Sequence, residues 1–224
     1  QARTPARRCG CLSYVFDDIL RPLKDVLLTW LVRPFARVHP NTITVLAFLV
    51  GLAAAGALVQ QHYLWGLVGW LLSRLLDGLD GAVARAYGKQ SDFGGYLDIL
   101  LDFAIYALIP LALVVGMPTP QHYFWLAILL SSFYLNAASW MHLAALLEKR
   151  AAQSPPDPAT DPAPLPKLTS VVMPAGIIAG AETISFYCLF ILFPQYLAAL
   201  FAAMAVLVLL TVVQRLVWAA RHLA

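Results

Sequence analysis

Six stretches of this chain stay apolar for as long as a helix needs to cross a bilayer, and few folds can accommodate that pattern. They cover approximately residues 41–60, 63–86, 94–116, 123–147, 169–193 and 195–220. A hydrocarbon core of about 30 Å takes roughly 20 residues of helix. Inside it every backbone N–H and C=O must be bonded within the protein, which leaves helices for runs of this length. Hydrophobic residues make up 61% of the chain and charged ones 12%, against about 25% charged in a soluble domain. The expected fold class is an all-α integral membrane protein with six transmembrane helices and no separate soluble domain. No nucleic-acid partner is expected.

Residues 1–10 are basic, hold Pro5 and Gly10, and read as a disordered N-terminus. The chain opens at Gln1 without a methionine, as a fragment does, and its first apolar run comes too late for a cleavable signal. Over residues 11–38 apolar side chains such as Val15, Ile19, Leu23, Val26 and Trp30 recur at helical spacing, but Asp17, Asp18, Arg21, Lys24, Asp25, Arg33 and Arg37 interrupt them. This pattern predicts an amphipathic interfacial helix preceding the spans, its basic residues towards anionic headgroups. Pro22 and Pro34 should break or restart it. Residues 39–224 are expected to form the six-helix transmembrane domain, with a proline-rich loop at 154–166 and a kink at Pro174.

The links at 60–62, 117–122 and 194–195 contain no Lys or Arg. By the positive-inside rule both termini, and the link between the second and third spans, lie on the cytoplasmic side. Tyr63, Trp65, Tyr123, Trp125 and Tyr196 then mark the outer interface. A bacterial inner membrane or a plasma membrane is the expected location. The three cysteines, Cys9, Cys11 and Cys188, suggest no disulfide framework. Cys9 and Cys11 lack a nearby Cys/His pair and read as an incidental reduced pair.

Five of the twelve acidic residues fall in the stretch from Asp77 to Asp102, beside long apolar runs, and four of them, Asp77, Asp80, Asp98 and Asp102, recur at helical spacing. Carboxylates at a membrane edge are costly and tend to be kept for function. Asp77 and Asp80 are three apart on a helix and Asp98 and Asp102 four apart, so each pair shares a face. A helical hairpin brings the two faces together. At 4 Å and an effective dielectric near 20, two such charges repel by about 4 kcal/mol. Protonation, Arg85 or divalent cations must offset this. Several oxygen ligands with an open side suit Mg²⁺ or Mn²⁺ holding a phosphate substrate. Gly78, Gly81, Gly94 and Gly95 remove side-chain bulk, either for helix packing or for the close approach of a ligand.

The arrangement Asp-x2-Asp-Gly-x2-Ala-Arg-x8-Gly-x3-Asp-x3-Asp is matched in full by Asp77, Asp80, Gly81, Ala84, Arg85, Gly94, Asp98 and Asp102. It resembles the signature of the CDP-alcohol phosphatidyltransferases, a family with the same six-span plan. The resemblance implies two divalent ions, Mg²⁺ or Mn²⁺, ligated by Asp77, Asp80 and Asp98 with Asp102 bridging or near them. It implies that Asp102 is the general base for the acceptor alcohol, that Gly81 and Ala84 leave room for the cytidine nucleotide, and that Arg85 neutralises phosphate or an acidic neighbour. It further implies a CDP-alcohol donor, an alcohol acceptor, one of the two being a lipid, release of CMP, a place in phospholipid biosynthesis, and a homodimer. The donor reads as CDP-diacylglycerol; the alternative is CDP-choline or CDP-ethanolamine with a diacylglycerol acceptor.

Pro40-Asn41-Thr42 resembles the sequence that opens the first span in that family near the nucleotide, and reads equally as a helix N-terminus. Arg74, one turn before Asp77, is a partner for an acid or a phosphate contact. Glu182 is the only acid of the fifth span and a candidate for the acceptor. Lys149, Arg150 and Lys167 flank the proline-rich loop and suit a phosphorylated acceptor, although topology alone explains them. His142 reads as packing. Two other classes compete. An intramembrane prenyltransferase also binds a diphosphate through aspartate-held Mg²⁺, but with acidic motifs far apart in the chain. A divalent-cation transporter would want its acids near the bilayer midplane.

Overall fold

In the computed structural model of the protein, residues 32–153 and 180–223 are described. Six α-helices follow one another: α1 (Pro40–Val59), α2 (Tyr63–Ala86), α3 (Asp92–Gly116), α4 (Pro120–Gln153), α5 (Gly180–Leu192) and α6 (Leu197–Leu223). Short 3-10 turns occupy Arg33–Phe35 and Pro194–Tyr196. Most of the expected interfacial helix, the expected disordered N-terminus, Cys9, Cys11, the proline-rich loop, Pro174 and Lys167 lie outside the described residues. Among the described residues the regular structure is entirely helical.

Among the described residues four stretches are long and apolar enough to cross a membrane by length and composition: Pro40–Val59, Asp92–Gly116, Pro120–Arg150 and Pro194–Leu223. The helix α2 is long enough, at 24 residues, but Arg74, Asp77 and Asp80 fall together in its middle and Arg85 in its last turn. The described part of α5 is 13 residues long, short of a span. Among the described residues there are thus six α-helices, four of which meet the criterion for crossing.

Helix ends follow local chemistry. The chain leaves α1 through Gln61 at φ +61°, where the His62 amide donates to Ala57 O at 2.9 Å and the Gln61 amide to Leu58 O at 3.0 Å. This is the left-handed C-terminal motif, here built without glycine. At the end of α2, Gly88 takes φ +61° and the Lys89 amide returns to Ala84 O at 2.9 Å. Ser91 caps α3, its hydroxyl accepting from the Gly94 amide at 3.0 Å. That cap is why α3 begins at Asp92, before the Gly94 start that its apolar run indicates.

The described residues form two compact units. One comprises residues 32–50 and 71–103. Its core is Val32, Ile43, Leu79, Ala82 and Val83, with Phe35, Val38 and Leu76 packed against it. Ser73 donates to Ala47 O at 2.8 Å, which fixes α2 against α1. Lys89 donates to Ala36 O at 2.9 Å, so the link after α2 is tied to the segment before α1.

The other unit comprises residues 51–70, 104–153 and 180–223. There Trp70 stacks on Tyr187 at 4.7 Å between ring centroids, and Tyr106 meets both rings edge-on. Phe190 packs edge-on against Phe201 at 4.8 Å. Pro110 lies inside α3, so the carbonyl four residues earlier, that of Tyr106, has no helical donor. The Tyr187 hydroxyl supplies the hydrogen bond instead. Helices α4 and α6 pack together, and the buried Arg215 of α6 donates to Asn136 Oδ1 of α4 at 2.7 Å.

Candidate active site

The acidic motif lies wholly within the first unit, on α2 and α3. Helical spacing puts Asp77 and Asp80 on one face of α2 and Asp98 and Asp102 on one face of α3, and the short 87–91 link folds the two faces together. Asp77, Asp98 and Asp102 each contribute a carboxylate oxygen to a set whose members all lie within 4.8 Å of one another. The three side chains are half-buried.

Asp80 has a different surrounding. It is buried, at 5% exposure, and its Oδ2 accepts a hydrogen bond from the Thr44 hydroxyl of α1. Thr44 itself is buried and lies 3.2 Å from Pro40 O. The structure thus assembles three of the four sequence-derived acids into one oxygen cluster and gives the fourth a neutral donor.

Among the described residues, the cation paired with the cluster is Arg74. Its Nη1 donates to Asp102 Oδ1 at 2.6 Å and stands 3.5 Å from Asp77 Oδ2. Its Nη2 donates to Ser73 Oγ at 3.3 Å, the same hydroxyl that is anchored on Ala47. Of the two readings of Arg74 in the sequence, the acid partner is the one present. Arg85 is exposed and folds back along its own helix: a Cβ at Gly81 would stand 3.2 Å from Arg85 Nη1. Gly81 therefore leaves room that the Arg85 guanidinium uses. At Gly78 and Gly95 a Cβ would meet nothing within 4 Å among the described residues, so neither glycine is needed there for contact between described helices.

Asn41 stands beside α3, because a Cβ at Gly94 would lie 3.0 Å from Asn41 Oδ1. Thr42 is exposed at the start of α1, and Ala84 is half-buried on α2. The first-span sequence and the acidic hairpin thus belong to the same unit. Glu182, Lys149 and Arg150 belong to the other unit. Glu182 is half-buried in the first turn of α5, and Lys149 is exposed. Arg150 donates to Leu223 O at 2.7 Å and His222 O at 3.3 Å, where a cation complements the carbonyl end of α6. His142 is exposed on α4 rather than packed. Thr44 and Ser73 were missed by sequence reasoning; each is a hydroxyl residue within a largely apolar helix, and a polar residue at helix-contact spacing was the available signal.

The donor set fits a hard divalent ion. Carboxylate oxygens are its preferred ligands, and opposite oxygens around Mg²⁺ stand roughly 4 Å apart, so the cluster needs only a small closure from its 4.8 Å limit.

Residues 37–220 match the CDP-alcohol phosphatidyltransferase family. An inner membrane protein of Escherichia coli is 35% identical over 186 residues, which cover 82% of this chain and 85% of the relative. Archaetidylinositol phosphate synthase of Pyrococcus horikoshii is 37% identical over 91 residues, 41% of this chain and 47% of that protein. The crystal structure of phosphatidylinositol phosphate synthase from Mycobacterium tuberculosis with CDP-DAG bound has a similar fold, with a TM-score of 0.62 at 21% identity over 84% of this chain and 91% of that one.

Proposed function

This chain belongs to the CDP-alcohol phosphatidyltransferase family, and on that premise we propose that it transfers the phosphatidyl group of CDP-diacylglycerol to a water-soluble alcohol and releases CMP. The observation that carries the reading is the convergence of Asp77, Asp98 and Asp102 inside a family match that spans residues 37–220. The protein is an integral membrane transferase of phospholipid biosynthesis. A lipid donor is favoured by the CDP-DAG bound to the M. tuberculosis enzyme of similar fold.

In this mechanism Asp102 accepts the proton of the acceptor hydroxyl, within hydrogen-bond reach, as the hydroxyl oxygen attacks the phosphorus that carries the diacylglycerol. The new P–O bond forms, the bond to the CMP oxygen breaks, and CMP leaves with that electron pair. Two Mg²⁺ or Mn²⁺ ions, held by Asp77, Asp98 and Asp102 with Asp80 as the fourth candidate ligand, would neutralise the diphosphate and the departing CMP. Arg85 adds a positive charge beside the nucleotide phosphates. Gly81 and Ala84 leave space for the cytidine, and Asn41 and Thr42 border it. Glu182, Lys149, Arg150 and Lys167 remain the candidates for the acceptor. The absence of basic residues from the links at 60–62, 117–122 and 194–195 supports a site facing the cytoplasm of a bacterial inner or plasma membrane. A homodimer belongs to the reading through the family resemblance.

The test is CMP release from radiolabelled CDP-diacylglycerol with Mn²⁺ and a panel of acceptors, inositol phosphate first, then glycerol phosphate and serine. Release that stops with EDTA, returns with Mn²⁺ and falls by at least about 100-fold in Asp102→Asn supports the reading. Release only from CDP-choline or CDP-ethanolamine with diacylglycerol would move the lipid to the acceptor side. Metal flux without CMP release from any donor would overturn the transferase.

A further inference from the structure

Arg74 is the most enclosed member of the carboxylate cluster: its side chain is 6% exposed, against 28% for Asp102 and 25% for Asp77. It therefore meets the acids from the buried side, and their exposed side is left open to solvent and substrate. Its 2.6 Å contact engages Asp102 Oδ1, which leaves the second oxygen of the same carboxylate for a cation or a proton. The guanidinium is in turn held by Ser73, whose hydroxyl is fixed on the α1 backbone at Ala47. A planar, permanently charged fork of this kind orients a carboxylate better than a mobile ammonium does.

Charge gives the second half of the argument. Ionised, as divalent-ion ligands must be, Asp77, Asp98 and Asp102 sum to −3, and Arg74 reduces this to −2. A divalent ion held by these carboxylates would stand within a few ångströms of the guanidinium, where like charges repel appreciably at the dielectric of a protein. Resting on the metal-dependent reading above, we propose that Arg74 is a positioning residue that fixes Asp102 from the buried side and, as a resident counter-cation, lowers the affinity of the cluster for divalent ions. The cluster is thereby held together before the ion arrives, and its affinity is kept weak enough for the ion to adjust as nucleotide enters and CMP leaves.

Mn²⁺ binding to the purified protein in nanodiscs, followed by electron paramagnetic resonance, tests this directly. Arg74→Gln should bind Mn²⁺ roughly tenfold more tightly than wild type, and Arg74→Lys, which keeps the charge, should stay near wild type. The metal-free Arg74→Gln protein should unfold at a lower temperature, and saturating Mn²⁺ should close the gap. A merely structural arginine would lower the unfolding temperature equally with and without Mn²⁺. Unchanged or weaker Mn²⁺ binding by Arg74→Gln overturns the proposal. Should that variant not be recovered folded, wild-type protein labelled with ¹⁵N-arginine carries the test: Mg²⁺ should shift the Arg74 guanidinium resonances, assigned with Arg74→Lys, and unshifted resonances at saturating Mg²⁺ overturn it. Wild type that binds no Mn²⁺ overturns the metal reading along with this one, whereas binding that is indifferent to residue 74 overturns this one alone.

Discussion

At the scale of single residues, the site is a contest over carboxylate charge, and each acid has its own means of bearing it. Asp102 is held by Arg74 and Asp80 by Thr44, whereas Asp77 and Asp98 share the open cluster with Asp102. A buried carboxylate without its donor is expensive. Thr44→Val, nearly the same shape, should cost about 1–3 kcal/mol of stability because Asp80 keeps its burial and loses its hydroxyl. Thr44→Ser should recover most of that loss, and thermal unfolding of the two variants in the same nanodiscs reads the difference. Gly94 adds a steric constraint at the same scale, since any Cβ there would press on Asn41 Oδ1 and Ser91 Oγ, both 3.0 Å away.

Elements show how an apolar medium polices its backbone. A proline inside a membrane helix frees one carbonyl, and in α3 that is Tyr106 O, upstream of Pro110. Tyr187 reaches it from α5, so the hydroxyl does the work of the missing amide while its ring stacks on Trp70. Tyr187→Phe keeps the ring and removes the bond. It should destabilise the protein by about 1–3 kcal/mol, while Pro110→Ala in the same background should restore most of the loss by returning the amide. Thermal unfolding of the single and double variants checks this coupling. Elsewhere small residues set the distance between helices: a Cβ at Gly69 would stand 2.8 Å from Ala54 Cβ, closer than two methyl groups can approach.

At the scale of the whole molecule, four helices among the described residues qualify as spans by length and composition, while α2 carries the charges of the site through its second half. A bilayer tolerates such a helix where protein surrounds its charged face, and Arg74 and Asp80 are indeed buried. The proposed orientation rests on where basic residues are missing from the sequence, and labelling measures it. With Cys9, Cys11 and Cys188 replaced by serine, Gln121→Cys should react with an impermeant maleimide in intact spheroplasts. Gln153→Cys, at the end of α4, should react only after permeabilisation. The reverse pattern would invert the topology and place the acidic hairpin on the outer side.

Much of this protein is decided by local rules that its sequence carries on its face. Long apolar runs dictate helices because the bilayer forbids unbonded backbone, and spacings of three and four residues put the acids on common faces. A short link then brings Asp77 to Asp98 and Asp102 without help from the rest of the chain. The partners of those acids follow another logic. Thr44 and Asp80 are 36 residues apart, Arg74 and Asp102 28, and Tyr187 and Tyr106 81. Which of these side chains meet depends on how each helix is rotated about its axis. Helices that are apolar on nearly every face, such as α1 and α3, leave that rotation open in the sequence. Only tertiary packing sets it, and in doing so it makes Arg74 the neighbour of Asp102, the residue proposed as base.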